Sequence, residues 1–193
     1  MNSFFAFISR MKYISRWALM RNSSPENVQE HSHMTAVLAH ALAVIRRDIY
    51  GIPCDPGAAA SAALFHDATE IFTGDLPTPV KYLNSELTAA YKRAEHVAEQ
   101  RLLAQLPAEL QASYAVLICD LDSDVSALVK AADKLSAYIK CLEEERAGNR
   151  EFRQARDQTL AKLKSLQMPE LDYFLDHFMK PFELTIDQLN SND

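Results

Sequence analysis

Ala58-Ala59-Ala60-Ser61-Ala62-Ala63-Leu64-Phe65-His66-Asp67-Ala68-Thr69-Glu70-Ile71-Phe72 is the stretch whose reading decides the fold. Pro56, a residue suited to a helix's first turn, opens it. The small side chains that follow predict a tightly packed central helix over Ala58 to Phe72. That helix carries an adjacent histidine and aspartate. An aspartate beside Ala62, Ala63, Leu64 and Phe65 is costly to bury unless ionic or metal bonds offset its desolvation; the alternative is a helix-end pair facing water. Consecutive helical residues lie about 100° apart, so both reach one ion only if that helix end points straight at it.

Helix signals extend outward in both directions. Phe4, Ile8, Met11, Ile14 and Ala18 recur at helical spacing and predict a first helix. Residues 1–25 are basic and contain no acid, like a transit peptide, but this apolar spacing reads as a structural helix. Asn27 or Ser24 caps a second helix with an apolar face of Val28, Leu38, Leu42 and Ile45, ending near Gly51-Ile52-Pro53. Two prolines and a glycine exclude regular structure from Thr73-Gly74-Asp75-Leu76-Pro77-Thr78-Pro79. Helices are predicted over Ser85–Leu106, ended by Pro107, and over Glu109–Cys119. Asp122 or Ser123 caps another, with the stripe Val125, Leu128, Val129, Ala132, Leu135, Ile139 and Leu142. Glu143-Glu144-Glu145-Arg146 reads as its solvated end, leading to Gly148. Phe152–Leu166 and Leu171–Phe178 supply the remaining helices. With only 4 glycines and no β-branched runs, the fold class is all-α, a single domain over residues 1–193 with its core about 27–142.

A formal net charge of −6 argues against a nucleic-acid polymer as partner. No apolar run is long enough to span a bilayer, so no membrane association is expected. Cys54, Cys119 and Cys141 are odd in number, far apart and without a CxxC pattern, which reads as free thiols in a reducing cytosol.

Four scattered residues carry the chemistry. His31 shares the helical phase of Val28, Leu38, Leu42 and Ile45 and so faces inward; taken singly it could be an ordinary core histidine. His33 and His40 fall on the polar face, and His96 and His177 lack comparable context. Asp133 borders the stripe Val129-Ala132-Leu135, with Lys130 and Lys134 close by, and taken singly could form an intrahelical ion pair. Together His31, His66, Asp67 and Asp133 make two imidazoles and two carboxylates, a ligand set for one divalent metal. Glu70, three residues from Asp67 and four from His66, shares their helix face and is a candidate base for an attacking water. Asp75, in the proline-rich loop, is either a turn residue or an acceptor for a sugar hydroxyl. Arg16 offers a planar fork for phosphate oxygens, and Trp17 a wall for a sugar or base; both could equally anchor the first helix.

The order His31…His66-Asp67…Asp133 is the signature of the HD-domain phosphohydrolases, which the chain resembles. Several stretches resemble more closely the bacterial HD-domain 5′-deoxynucleotidases: Arg16-Trp17, Glu30-His31-Ser32, His66-Asp67-Ala68-Thr69-Glu70, Thr73 to Tyr82, and Lys130-Ala131-Ala132-Asp133. The likeness runs from the first helix to Asp172-Tyr173-Phe174. It implies an all-α HD-domain fold with a central metal site, a cytoplasmic homodimer, and hydrolysis of deoxyribonucleoside 5′-monophosphates, selective for deoxyribose and broad in base. It makes His31, His66, Asp67 and Asp133 the metal ligands, with His31, Asp67 and Asp133 also meeting substrate. By the same resemblance Arg16 orients the phosphate, Trp17 lies by the deoxyribose, and Asp75, Leu76, Pro77 and Thr78 line the nucleotide pocket. Glu70 becomes the catalytic carboxylate and Arg16 its cationic counterpart. The implied cofactor is one divalent transition ion, cobalt, manganese or copper, the native one not being legible. Two other readings share these residues. One is a hydrolase of nucleoside triphosphates or guanosine tetraphosphate, whose charge demands a larger basic cluster than Arg16 with Lys81 nearby. The other is a metal-stabilised helical binding module without turnover, against which Glu70 and Asp75 speak.

Overall fold

The computed structural model describes residues 2–191, and regular structure among them is helical, with one isolated bridge between Ser15 and Asn27. The centre is built by α2 (Val28–Asp48), α3 (Pro56–Phe65) and α8 (Ser123–Arg146), which pack on one another. Each begins on a side-chain cap. Asn27 accepts from the Glu30 N–H at 3.0 Å while Glu30 returns the bond, Asp55 accepts from Gly57 and Ala58, and Asp122 from Asp124 and Val125. Such a cap stabilises its helix by about 1 kcal/mol. Ala59, Ala62 and Ala63 of α3 are buried with Ala39, Leu42 and Ala43 of α2 and Leu128, Ala132 and Leu135 of α8 in one core. Alanine on facing helices lets the three backbones close up, as the sequence predicts.

The expected helix over Ala58–Phe72 breaks in the middle. α3 stops at Phe65, and four further residues form α4 (Glu70–Thr73). Between them the chain winds tighter, with N–H bonds from His66 to Ala63, Ala68 to Phe65 (3.0 Å) and Glu70 to Asp67 (3.0 Å), each spanning three residues. Ala68 is fully buried in a second core with Phe4, Met11, Val28 and Leu102. Burying it there turns the chain out of α3's axis just where His66 and Asp67 sit.

The first helix is also shorter than its spacing suggests. α1 covers Phe4–Ile8, one 3₁₀ turn covers Met11–Tyr13, and Arg16 N–H then bonds to the Glu26 carbonyl at 2.9 Å. That pairing with a segment ten residues on pulls Ile14 to Trp17 out of helical geometry. Trp17 ends at φ +58°.

α5 (Thr78–Lys81) occupies the end of the proline loop expected to be irregular; Pro79 sits in its opening turn, where a missing N–H costs nothing. α6 (Ser85–Leu103), α7 (Ala108–Ile118), α9 (Arg153–Ser165), α10 (Pro169–Phe178) and α11 (Ile186–Asn190) complete the set, α9 lying on α8 and α10 on α2. No helix among the described residues is long and apolar enough to cross a membrane. One prediction about α8 is overturned: Glu144 is not solvated but only 1 % exposed, held by Lys140 and by donors from the loop after Trp17.

Candidate metal centre and adjoining cleft

His31 from α2, His66 at the end of α3 and Asp133 from α8 present ligand atoms within 4.8 Å of one another. His31 is fully buried, its Nε2 3.1 Å from Asp133 Oδ1 and its Nδ1 3.2 Å from Ser136 Oγ. Asp67 stands beside this trio: its Oδ2 is 3.2 Å from His66 Nε2 and 3.7 Å from His31 Nε2. The tight winding after Phe65 explains how adjacent residues reach one place. His66 Nδ1 lies 2.7 Å from the Ala63 carbonyl, one turn back. Donating there fixes the ring and directs Nε2, buried and without a hydrogen bond, into the cluster.

The electrostatics follow from putting two rings against two carboxylates. Burial opposes a charge on His66, but the charge and contact of Asp67, then Asp133, prevail and lift it from 6.5 to about 9. Burial likewise opposes ionised Asp67 and Asp133, and the neighbouring imidazoles more than offset it, so both stay below the usual carboxylate range. Glu70 is different. Burial comes first, with repulsion from Asp67 and Asp75 behind it, and its carboxyl is pushed up to about 10. Its Oε2 is buried without a partner.

Arg16 joins this centre to a neighbouring pocket. Its Nη1 donates to Asp67 Oδ2 at 3.2 Å and its Nε to Glu26 Oε2 at 3.2 Å; the same Glu26 oxygen accepts from the Trp17 indole N–H at 2.8 Å. Beyond Arg16 opens a cleft of about 590 Å³, lined by Arg16, Trp17, Asp75, Pro77, Thr78 and Asp133 among the residues singled out from sequence. Leu76 does not line it. Asp75 and Pro77 on either side of it do. Lys81 does not line it either: its ammonium is bound to Glu95 at 2.8 Å.

Such a constellation suits metal-assisted phosphoryl chemistry: a buried nitrogen without a hydrogen bond among carboxylates, next to a fixed guanidinium and a nucleotide-sized cleft. Comparison with known proteins agrees. The family described as "5'-deoxynucleotidase YfbR-like" matches residues 3–182. The chain belongs to the YfbR-like 5′-deoxynucleotidase family. A 5′-deoxynucleotidase from Shewanella oneidensis is 50% identical over 192 residues, 98% of each chain. Among solved structures, an HD-domain phosphohydrolase from Listeria innocua superposes with a TM-score of 0.81 at 23% identity, covering 97% of this chain and 92% of that one. A cyanophage S-2L HD phosphohydrolase, described as bound to dA and one catalytic Zn²⁺, gives 0.65 at 21% identity over 93% and 96%. These likenesses show the HD-domain fold.

Sequence reasoning missed part of this 5′-deoxynucleotidase's site. Glu26 is ten residues from Arg16 and meets it only through the Ser15–Asn27 pairing. Lys134, read from sequence only as an ion-pair neighbour of Asp133, lies 3.8 Å from that carboxylate and also lines the cleft together with Gln158, Thr159 and Lys162 of α9. The amphipathic pattern of α9 gave a buried face but no hint of what its polar face meets.

Proposed function

We propose that His31, His66, Asp67 and Asp133 hold one divalent cation at which this chain, a 5′-deoxynucleotidase by family, removes the 5′-phosphate of deoxyribonucleoside 5′-monophosphates. The observation that carries the reading is His66 Nε2, buried without a hydrogen bond and faced by His31, Asp67 and Asp133. Such a nitrogen is costly unless a ligand meets it. The cyanophage fold relative, bound to one catalytic Zn²⁺, supports a single cation; cobalt, manganese and copper are the ions the sequence resemblance suggests. Bound there, a divalent ion supplies Lewis-acid charge for phosphate and lowers the pKa of water.

The chain's own residues do the rest. Arg16, stretched between Asp67 and Glu26, meets the phosphate oxygens with a guanidinium that need not reorganise as charge develops. Asp67 and Glu26 hold that group charged at any working pH. Glu70 handles the proton. The burial, and behind it the repulsion, that raise its pKa make its ionised form a strong acceptor for the proton of the attacking water, once positive charge is present nearby. As the P–O bond breaks, the leaving 5′-oxygen takes up a proton, replacing the one Glu70 accepted from water and returned to solvent, and departs as a deoxynucleoside alcohol, with orthophosphate the other product. Trp17, fixed by its bond to Glu26, walls the sugar and leaves no space for a 2′-hydroxyl, while Asp75 accepts from the 3′-hydroxyl. Leu76, Pro77 and Thr78 are proposed to keep the Asp75 loop in place, Pro77 and Thr78 from the cleft wall. The working unit is proposed to be a cytoplasmic homodimer.

The test is phosphate release from dAMP and AMP by purified protein, first stripped by a chelator and then given cobalt, manganese, copper or zinc singly. The proposal expects release from dAMP only with a divalent ion, and a marked preference over AMP. Unchanged release after stripping, or equal rates on the two nucleotides, would overturn it.

A further inference from the structure

The last turn of α8 hides a charged cluster that the reaction does not use. Glu144 is 1 % exposed, Lys140 5 % and Asn149 8 %. The Glu144 carboxylate accepts from the Ser23 N–H at 2.8 Å, the Ser24 N–H at 3.1 Å and Asn149 Nδ2 at 2.8 Å, and pairs with the Lys140 ammonium. Lys140 also donates to the Ser24 carbonyl, and Asn149 to the Arg21 carbonyl at 2.7 Å. Four of these bonds, those with the Ser23 and Ser24 N–H groups and the Ser24 and Arg21 carbonyls, end on one segment, residues 21–24, more than a hundred residues earlier in the chain.

That segment is the far end of the loop that begins at Trp17. The near end is held separately. The Trp17 indole packs on the ring of fully buried Phe152, centroids 5.2 Å apart, and the Lys140 ammonium lies over the same ring, 5.7 Å from its centroid. Trp17 itself has φ +58°, a conformation a bulky residue adopts only when its surroundings impose it. Between the two anchors, Trp17, Leu19 and Met20 line the cleft. Buried charge costs desolvation free energy and is retained where it fixes a unique arrangement. Here what it fixes is the strap that carries the sugar wall.

We propose that Glu144, with Lys140 and Asn149, positions the Trp17 strap and thereby sets the discrimination between deoxyribose and ribose. The inference rests on Trp17 being the sugar wall, as proposed above. Glu144 touches no substrate; it acts through backbone N–H groups of Ser23 and Ser24, so it is a positioning residue. The metal centre and Arg16 are held by Asp67 and Glu26, the latter also taking the Trp17 indole N–H, and none of these bonds ends on Glu144.

The chain contains 1 Trp, so its emission reports this strap and nothing else. The experiment compares wild type, Glu144→Gln, Trp17→Ala and the double variant, each loaded with the metal that best supports wild-type turnover. The amide keeps the size of the carboxylate but offers a single acceptor and turns a donor toward Lys140 and the two N–H groups. We expect red-shifted Trp17 emission in Glu144→Gln and a fall of about tenfold in kcat/KM on dAMP, the scale of a small misplacement. The dAMP to AMP ratio should narrow, while metal content and inhibition by inorganic phosphate, which reads the metal and Arg16 end alone, stay as in wild type. In the Trp17→Ala background Glu144→Gln should narrow the ratio no further. Unchanged emission and ratio in a folded Glu144→Gln would overturn the proposal, as would equal loss of phosphate inhibition and metal, the mark of general destabilisation. If Glu144→Gln does not fold, Asn149→Ala, which cuts the Arg21 and Glu144 contacts together with the cap on the Glu151 N–H, is read by the same two outcomes. Should Trp17→Ala leave the ratio untouched while Glu144→Gln still shifts the emission, the sugar-wall reading falls and the positioning contact stands.

Discussion

Metal binding at the proposed site would displace a proton from His66, and the charge around that ring sets how much this costs. In the cluster without an ion, Asp67 and Asp133 hold the His66 imidazolium to about pH 9. The free ring nitrogen that meets a metal exists only in the neutral form. At pH 7 the proton therefore sits about two pH units below its release point, which is roughly 3 kcal/mol. Apparent metal affinity at pH 7 should be about fiftyfold weaker than at pH 9, where half the rings are already neutral, rising about ninefold from pH 7 to 8 and about fivefold from pH 8 to 9. The assay is titration calorimetry with one divalent ion at pH 7, 8 and 9, repeated in buffers of different ionisation enthalpy to count protons released. About one proton per ion is expected from His66, and Glu70→Gln should remove any second one. The sign is opposite for stability without metal. A folded-state pKa above the unfolded 6.5 stabilises fully below pH 6.5 and is lost as pH rises through 9. Affinity independent of pH over this range, with no proton released, would refute the reasoning.

Glu70→Gln should keep its metal and lose roughly 10²–10⁴ in kcat, the contribution of a positioned proton acceptor; an unchanged kcat removes Glu70 from the chemistry. Trp17→Ala should narrow the dAMP to AMP ratio of kcat/KM at normal metal content, read by phosphate release. Glu144, lowered to about 2 against burial by Lys140, Ser23, Asn149 and Ser24, contributes stability present above about pH 4.5 and lost as pH falls toward 2. Glu144→Gln should therefore cost about 3 kcal/mol at pH 7 and much less near pH 2, measured by denaturant unfolding at both. Asp55→Ala, which removes the cap of α3, should lower stability by about 1 kcal/mol in the same measurement without altering the kcat of the surviving enzyme.

What the sequence disclosed and what it withheld divide along the range of the interactions. α2, α6, α7 and α8 begin and end close to their expected limits because caps, prolines and apolar spacing act within a few residues. The inward face of His31 was legible for the same reason. The break at His66 was not: it depends on Ala68 entering a core built by Phe4, Met11 and Leu102, all distant in the chain. The shortening of the N-terminal helix and the unnoticed Glu26 share one cause, the pairing of Ser15 with Asn27. A run of three glutamates before an arginine looks like a solvated helix end from within α8. Only the arrival of Ser23 and Ser24 from the far side of the fold makes Glu144 a buried acceptor. The candidate ligands were found because their residue types are rare together, whereas the cleft wall from α9, with Gln158, Thr159 and Lys162, is made of residues common on any polar helix face.

The most direct test of the metal centre is anomalous X-ray diffraction from crystals grown with Mn²⁺, in wild type and in Asp67→Ala. The account predicts one anomalous peak per chain in wild type, bounded by His66 Nε2, a His31 ring nitrogen, and the carboxylates of Asp67 and Asp133, and no peak there in the variant despite an unchanged helical fold. A peak elsewhere in the wild-type chain, or full occupancy of this position in Asp67→Ala, would contradict it.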